Sequence, residues 1–248
     1  MRPSPRPALI VLLAALATPA HADGPEPYAI DPVHTRVMFA VEHAGFSKAL
    51  GTVSGSTGAL LFDPEDWTAA RLDVRVPMAA IDLGDEGWNR ATLARNLLDA
   101  QQHPEARFVS RDVTPVDEDT ARACGELTLR GVTRPLCMDV TLNALKRHPM
   151  PPFRRTAGFS ATATLSRADY GITAWKSVIG DEVELRIEAE AVRDDEALAV
   201  FEQASPPPDA AVDAPPVADE PPAAEPDVSV DDAESRSDTP PDPTEPTP

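Results

Sequence analysis

Strict period-two alternation runs through much of this chain, and it narrows the choice of fold more than any other feature. Val37, Phe39 and Val41 fall on one face, with Arg36, Met38, Ala40 and Glu42 on the other. Leu72, Val74, Val76 and Met78 repeat the pattern, as do Leu127 and Leu129, then Met138, Val140 and Leu142. Phe159 to Leu165 and Val183 to Ala189 continue it. One apolar and one polar face at period two means half-exposed antiparallel strands. The stretches near 50–62 and 106–116 read as less regular strands, the first bent at "GTVSGSTG". About eight strands result. A sheet with a single apolar face has to close on itself or cover another sheet, and closure also removes the exposed edges. The expected fold class is therefore all-β, a closed antiparallel barrel.

One segment departs from the alternation. In "GWNRATLARNLLDAQQHP", residues 87–104, Trp88, Ala91, Leu93 or Ala94, Leu97 and Leu98 fall at helical spacing, and His103-Pro104 ends the run. This predicts a helix over one end or flank of the barrel. A second short helix is expected at 194–204.

Both ends of the chain fall outside that domain. Arg2 and Arg6, an apolar run from Ala8 to Ala17 and Ala20-His21-Ala22 make a signal-peptide pattern with cleavage after Ala22, so residues 1–22 are expected to be removed and the protein to be periplasmic or secreted. That run is too short to span a bilayer, and no stable membrane insertion is expected. Residues 205–248 are rich in proline and carry 12 acids against Arg236, a composition that cannot bury enough apolar surface to order itself. More than half of the net charge of −19 sits there, so the tail reads as a disordered spacer or docking arm. Residues 23–204 remain as one domain. They are only mildly acidic, and because phosphate binding needs a basic face, nucleic acid is not an expected partner.

Two cysteines, Cys124 and Cys137, flank a hairpin. A tight turn on Arg130-Gly131 sets Leu129 opposite Val132 and Cys124 opposite Cys137, both on the polar side. An exported protein sits where disulfides persist, but a register slip of one residue would separate the thiols, so both a bridge and two free thiols stay open.

Catalytic signatures are missing. There is no H-E-x-x-H, C-x-x-C, G-x-S-x-G or phosphate loop, and His34 and His43, nine apart on one strand, would point to opposite faces. No metal site and no catalytic residue is expected. His43 shares the parity of Val37, Phe39 and Val41, which puts a polar group among apolar walls near one end of the barrel. A barrel of this size either fills with side chains or holds one small ligand, and the pattern alone does not choose.

Four motifs in order resemble the YceI-like family: "YAIDPVHTRVMFAVEHAGFSKALGTV", "LLDAQQHPEARFVS", "CGELTLRGVTRPLCMDV" and "GFSATATLSRADYGI", followed by "GDEVELRIEAEAV". They cover 28–192. The resemblance implies an extended lipocalin-like barrel with a long apolar tunnel, in an exported family whose characterised members bind polyisoprenoid lipids such as quinones, or fatty amides. Some of its members form dimers, so a homodimer is among the expected assemblies, and no catalytic activity is generally assigned. The expected partner is a long-chain amphiphilic lipid, for transport, storage or stress protection. No cofactor is expected beyond such a lipid, an isoprenoid quinone for example.

The resemblance turns the inward parity into a ligand wall: Val37, Phe39, Val41, His43, Leu72, Val74, Val76, Leu93, Leu97, Phe108, Leu127 and Phe159. His43 is expected to contact a ligand head and His34 to fix the start of the strand. Arg167 and Asp169 share the inward parity of Phe159 to Leu165, which suggests a buried Arg–Asp pair at a barrel end, with ligand contact as the lesser reading. Many members carry R-D-x-H-L in the helical segment; here Arg90 keeps the arginine, but the aspartate and histidine are lost. Two further readings stand beside the carrier. One is an enzyme acting on a lipid or quinone in the same cavity with His43 as acid or base, and the other is an interaction module using the acidic tail.

Overall fold

The alternating segments become strands of one antiparallel sheet in a computed structural model, which describes residues 24–204. In chain order they are β1 (Glu26–Ile30), β2 (Arg36–His43), β3 (Ser47–Val53), β4 (Thr57–Phe62), β5 (Arg71–Pro77), β6 (Ile81–Asp82), β7 (Glu105–Pro115), β8 (Thr120–Leu129), β9 (Val132–Arg147), β10 (Arg155–Ser166) and β11 (Ile179–Arg193). Helix α1 (Glu86–Leu93) lies between β6 and β7, and α2 (Leu198–Ala204) follows β11. The expected signal peptide and acidic tail lie outside the described residues.

Eleven segments make a closed eight-strand barrel because three of the strands are interrupted. β1 and β2 follow one path, as do β3 and β4, and β5 and β6. Each path pairs with the next, and β11 closes the ring, meeting β2 at Leu185↔Phe39 and β1 at Ala191↔Ile30. The first path, over Glu26–Ile30 and Arg36–His43, is broken at Asp31-Pro32. The Asp31 carboxylate accepts the backbone amides of Val33 and His34 at 2.8 and 3.2 Å, which builds a turn inside the strand path. The neighbouring path breaks beside it at Ser54–Ser56, where Gly55 has φ +77° and donates its amide to the Pro32 carbonyl at 3.2 Å.

A bulge explains why 106–116 looked irregular. Ala106, Phe108 and Ser110 face inward, the register shifts between Ser110 and Asp112, and Val113 then takes the inward place.

The helical segment is shorter than its apolar spacing predicted. Asp85 caps α1 by accepting the Trp88 amide, but Ala94 is extended (φ −68°, ψ 162°) and Asp99 has φ +49°, so 94–102 continues as turns. The Arg130 guanidinium donates to the Arg95 carbonyl at 3.0 Å and ties this segment to the β8–β9 hairpin. The second helix is present, with Phe201 and Ala197 packed on the outer face of the barrel against Ala59 and Leu61.

Inside, one end is solid. Tyr28, Phe62, Trp67, Val113, Ala121, Ala157 and Ala191 are buried together, with the Phe62 ring edge-on to both Trp67 and Phe159 at 5.0 and 5.4 Å. The other end, bounded by α1, the β2–β3 turn and the loop 171–178, is where the interior opens.

Candidate functional site

A cavity of about 650 Å³ runs from that opening toward the packed end, and strands all round the barrel contribute to its wall. Its size lies within the usual range of small-molecule sites, about 300–1,000 Å³. Val37, Phe39, Val41, His43, Leu72, Val74, Val76, Leu97, Phe108, Leu127 and Phe159 all line it. Leu93 does not, because the helix ends there and the chain turns before Leu97 and Leu98 reach the wall. Two glycines shape the bore. A Cβ on Gly51 would sit 2.2 Å from the tip of the Phe39 ring, and one on Gly125 would meet the Val109 carbonyl at 2.2 Å and the tip of the Phe108 ring at 2.8 Å, so each aromatic reaches over a neighbouring strand that has no side chain there.

His43 stands at the opening, its ring 5.3 Å from that of Trp88 on α1. Arg90, on the same helix, is turned away: its side chain is 75 % exposed and faces Glu86 one turn back at 3.7 Å, outside the cavity.

Arg167 and Asp169 do not form the expected pair. β10 stops at Ser166, and Arg167–Tyr170 forms a 3-10 turn, so period-two parity does not extend to these residues. Arg167 is buried and lines the cavity, but its guanidinium donates to the carbonyls of Gly180 (2.7 Å), Ile172 (2.7 Å), Ala174 (2.9 Å) and Ile179 (2.8 Å). Asp169 is exposed. A planar five-donor group suits four converging carbonyls, and it holds the loop 171–178 against the barrel rim.

His34 sits at the break between β1 and β2. Its Nδ1 donates to Asp31 Oδ2 at 2.8 Å and lies 4.0 Å from Glu190 of β11. The hydrogen bond and charge of Asp31 raise the His34 pKa above its ordinary value. Burial pushes the Asp31 carboxyl up, but bonds from the His34 ring and the two turn amides outweigh it and hold the group below its ordinary range. Asp31, His34 and Glu190 are also close enough to share an ion, although their hydrogen bonds already give the histidine and aspartate a structural task. On the outer face, Cys124 and Cys137 are opposite in the β8–β9 register and bonded, with an S–S distance of 2.08 Å.

Three lining groups were not singled out from the sequence. The Ser56 hydroxyl, fully buried, and the Trp67 indole N–H, on a residue 6 % exposed, have no hydrogen-bond partner among the described residues. Trp175 lines the opening while 62 % exposed. All three lie outside the alternating strands, where period two carries no information about direction.

A family model described as a YceI-like domain matches residues 28–191. The UPF0312 protein of Pseudomonas savastanoi pv. phaseolicola is 34 % identical over 139 residues, covering 56 % of this chain and 71 % of that protein. A UPF0312 protein of Pseudomonas putida is 31 % identical over 188 residues, covering 75 % and 96 %. Among solved structures, Burkholderia cenocepacia BcnA superposes with a TM-score of 0.59 at 20 % identity, covering 65 % of this chain and 98 % of its own. A polyisoprenoid binding domain from Saccharophagus degradans, implicated in plant cell wall breakdown, gives 0.52 at 13 % identity, covering 67 % and 98 %. With the family model spanning most of the barrel and the relatives matching along it, the chain belongs to the YceI-like family.

Proposed function

We propose that this protein is an exported binding protein that holds one long-chain amphiphile, an isoprenoid quinone or similar lipid, in the barrel. The observation that carries this reading is the cavity itself: one continuous apolar bore, closed at one end and open at the other, with sparse polar atoms along it. A flexible chain fits such a bore, and the few polar atoms fix its depth. The head enters first, and its acceptor oxygens meet Ser56 and Trp67 deep in the bore, because a buried donor without a partner is destabilising and a ligand oxygen relieves it. His43, at the opening, lies beside the trailing part of the ligand. Among the described residues the titratable lining is Glu42, His43, Arg71 and Arg167, with Arg167 bonded to four carbonyls and Glu42 accepting the Gly45 amide. That arrangement favours holding over turnover.

Export is supported by residues 1–22, which read as a signal peptide, and by the Cys124–Cys137 bridge, a bond of oxidising compartments. Residues 23–204 then form the carrier domain and 205–248 a solubilising tail.

Ser56→Ala tests the polar part of this reading. Binding of a short-chain isoprenoid quinone is expected to weaken about threefold to tenfold, the worth of one buried hydrogen bond. A hydrocarbon probe of equal length, such as squalene, is expected to bind as before. Equal loss for both probes, measured by fluorescence titration, would remove Ser56 from ligand recognition.

A further inference from the structure

The opening of the bore carries aromatic side chains that a tunnel does not need. Phe46, at the tip of the β2–β3 turn, is 92 % exposed and outside the cavity wall. Ala44 and Gly45, at φ +54° and +73°, throw the chain outward just before it. Trp175 is 62 % exposed on the neighbouring loop and Trp88 44 % exposed on α1. These belong to one rim: the Ala44 amide donates to the Val178 carbonyl at 2.6 Å, and Trp88 lies against His43. Trp175 has φ +59°, a conformation that a bulky side chain adopts only when the surroundings impose it. The surroundings here are identified: Arg167 holds the Ala174 carbonyl, while Val178 and Ile179 donate to the Trp175 carbonyl at 2.9 and 2.8 Å. Backbone strain is thus held in place to present an indole at the rim.

The segments that project at the rim carry four cations. Segments 43–48, 86–98 and 171–178 hold Lys48, Arg90, Arg95 and Lys176 against Glu86, with Glu42, Asp85 and Asp99 at their bounds. Lys48 is paired with Glu184 and Arg90 with Glu86, and Asp181 lies within electrostatic reach of Lys176, while Arg95 and Lys176 are both exposed. The far end differs, since its β7–β8 turn is Asp117-Glu118-Asp119.

We propose that this rim docks the open mouth onto an anionic phospholipid bilayer, so that a chain passes between membrane and bore without crossing water. Amphipathic indoles at the headgroup level, an apolar tip beyond them and cations around them are what an interfacial site requires. The proposal rests on the carrier reading, since continuity of rim and bore is what gives docking a purpose.

Flotation with vesicles of phosphatidylethanolamine and phosphatidylglycerol tests it on the full chain, with the double variant Phe46→Ser, Lys176→Glu, neither residue lining the bore. The unaltered protein is expected to float, less so as salt rises and less on phosphatidylcholine alone. The double variant is expected to partition about tenfold or more weakly, from the loss of one buried aromatic and the reversal of one charge. Both proteins are expected to bind a fluorescent fatty amide delivered from solution equally well. An unaltered protein that stays with the soluble fraction, or a double variant that floats as well, overturns the docking proposal. Flotation by the unaltered protein alone, with no amide binding by either, keeps the docking and overturns the carrier reading instead.

Discussion

Val41→Asp is expected to abolish lipid uptake while leaving the barrel folded. Val41 lies between Val183 of β11 and Ala49 of β3, two residues in from the opening at His43, with its side chain on the bore. A ligand chain passing that point buries apolar methylenes, each worth about 0.8 kcal/mol. A carboxylate there must be desolvated by the incoming chain or keep its water and exclude the chain. Either route removes several methylenes from the contact, so binding of a fatty amide or quinone is expected to fall by more than about a hundredfold. In the empty protein the nearby opening supplies water to the new charge, and far-ultraviolet circular dichroism is expected to stay unchanged. Folded Val41→Asp protein that takes up lipid normally would show that the bore is not the binding site.

Arg167→Met is expected to give the largest stability loss of any conservative-volume change in the barrel. The substitution leaves the carbonyls of Gly180, Ile172, Ala174 and Ile179 without their shared donor. Buried polar groups stripped of a charged partner typically cost about 3–5 kcal/mol together. In a domain of this size that lowers the melting temperature by about 10 °C or more. Arg167→Lys is expected to recover only part of this, because one ammonium on a flexible stem cannot meet four carbonyls arranged for a planar fork. A calorimetric shift within about 2 °C for Arg167→Met would mean that the loop is held by other contacts.

What the sequence made legible follows the strands closely. Period two placed Val37, Phe39, Val41, His43 and Phe159 on the bore, because side-chain direction in a regular strand depends on parity alone. It misled wherever the backbone left the strand. Arg167 was assigned a partner by extending the parity of β10 one residue too far, into a 3-10 turn where side chains no longer alternate. Leu93 was assigned to the wall by helical spacing that stops holding at Ala94. Nothing local to Asp31-Pro32 says that β1 resumes as β2 on the same path; that follows from pairing with β11, a contact across the whole domain. Ser56, Trp67 and Trp175 lie in the gaps between alternating runs. Their positions depend on the breaks, and only the folded barrel shows which of them meet the cavity.

Family membership and fold agree on a barrel, and the proposed function adds a ligand in its bore. Mass spectrometry of an organic extract tests that addition most directly. The protein would be made from the full chain with its own N-terminal segment and purified without detergent. An isoprenoid or other long-chain lipid at near one-to-one stoichiometry is the expected result. Protein that arrives empty and also refuses quinone and fatty-amide probes would contradict the account and leave the barrel as a packed interaction module.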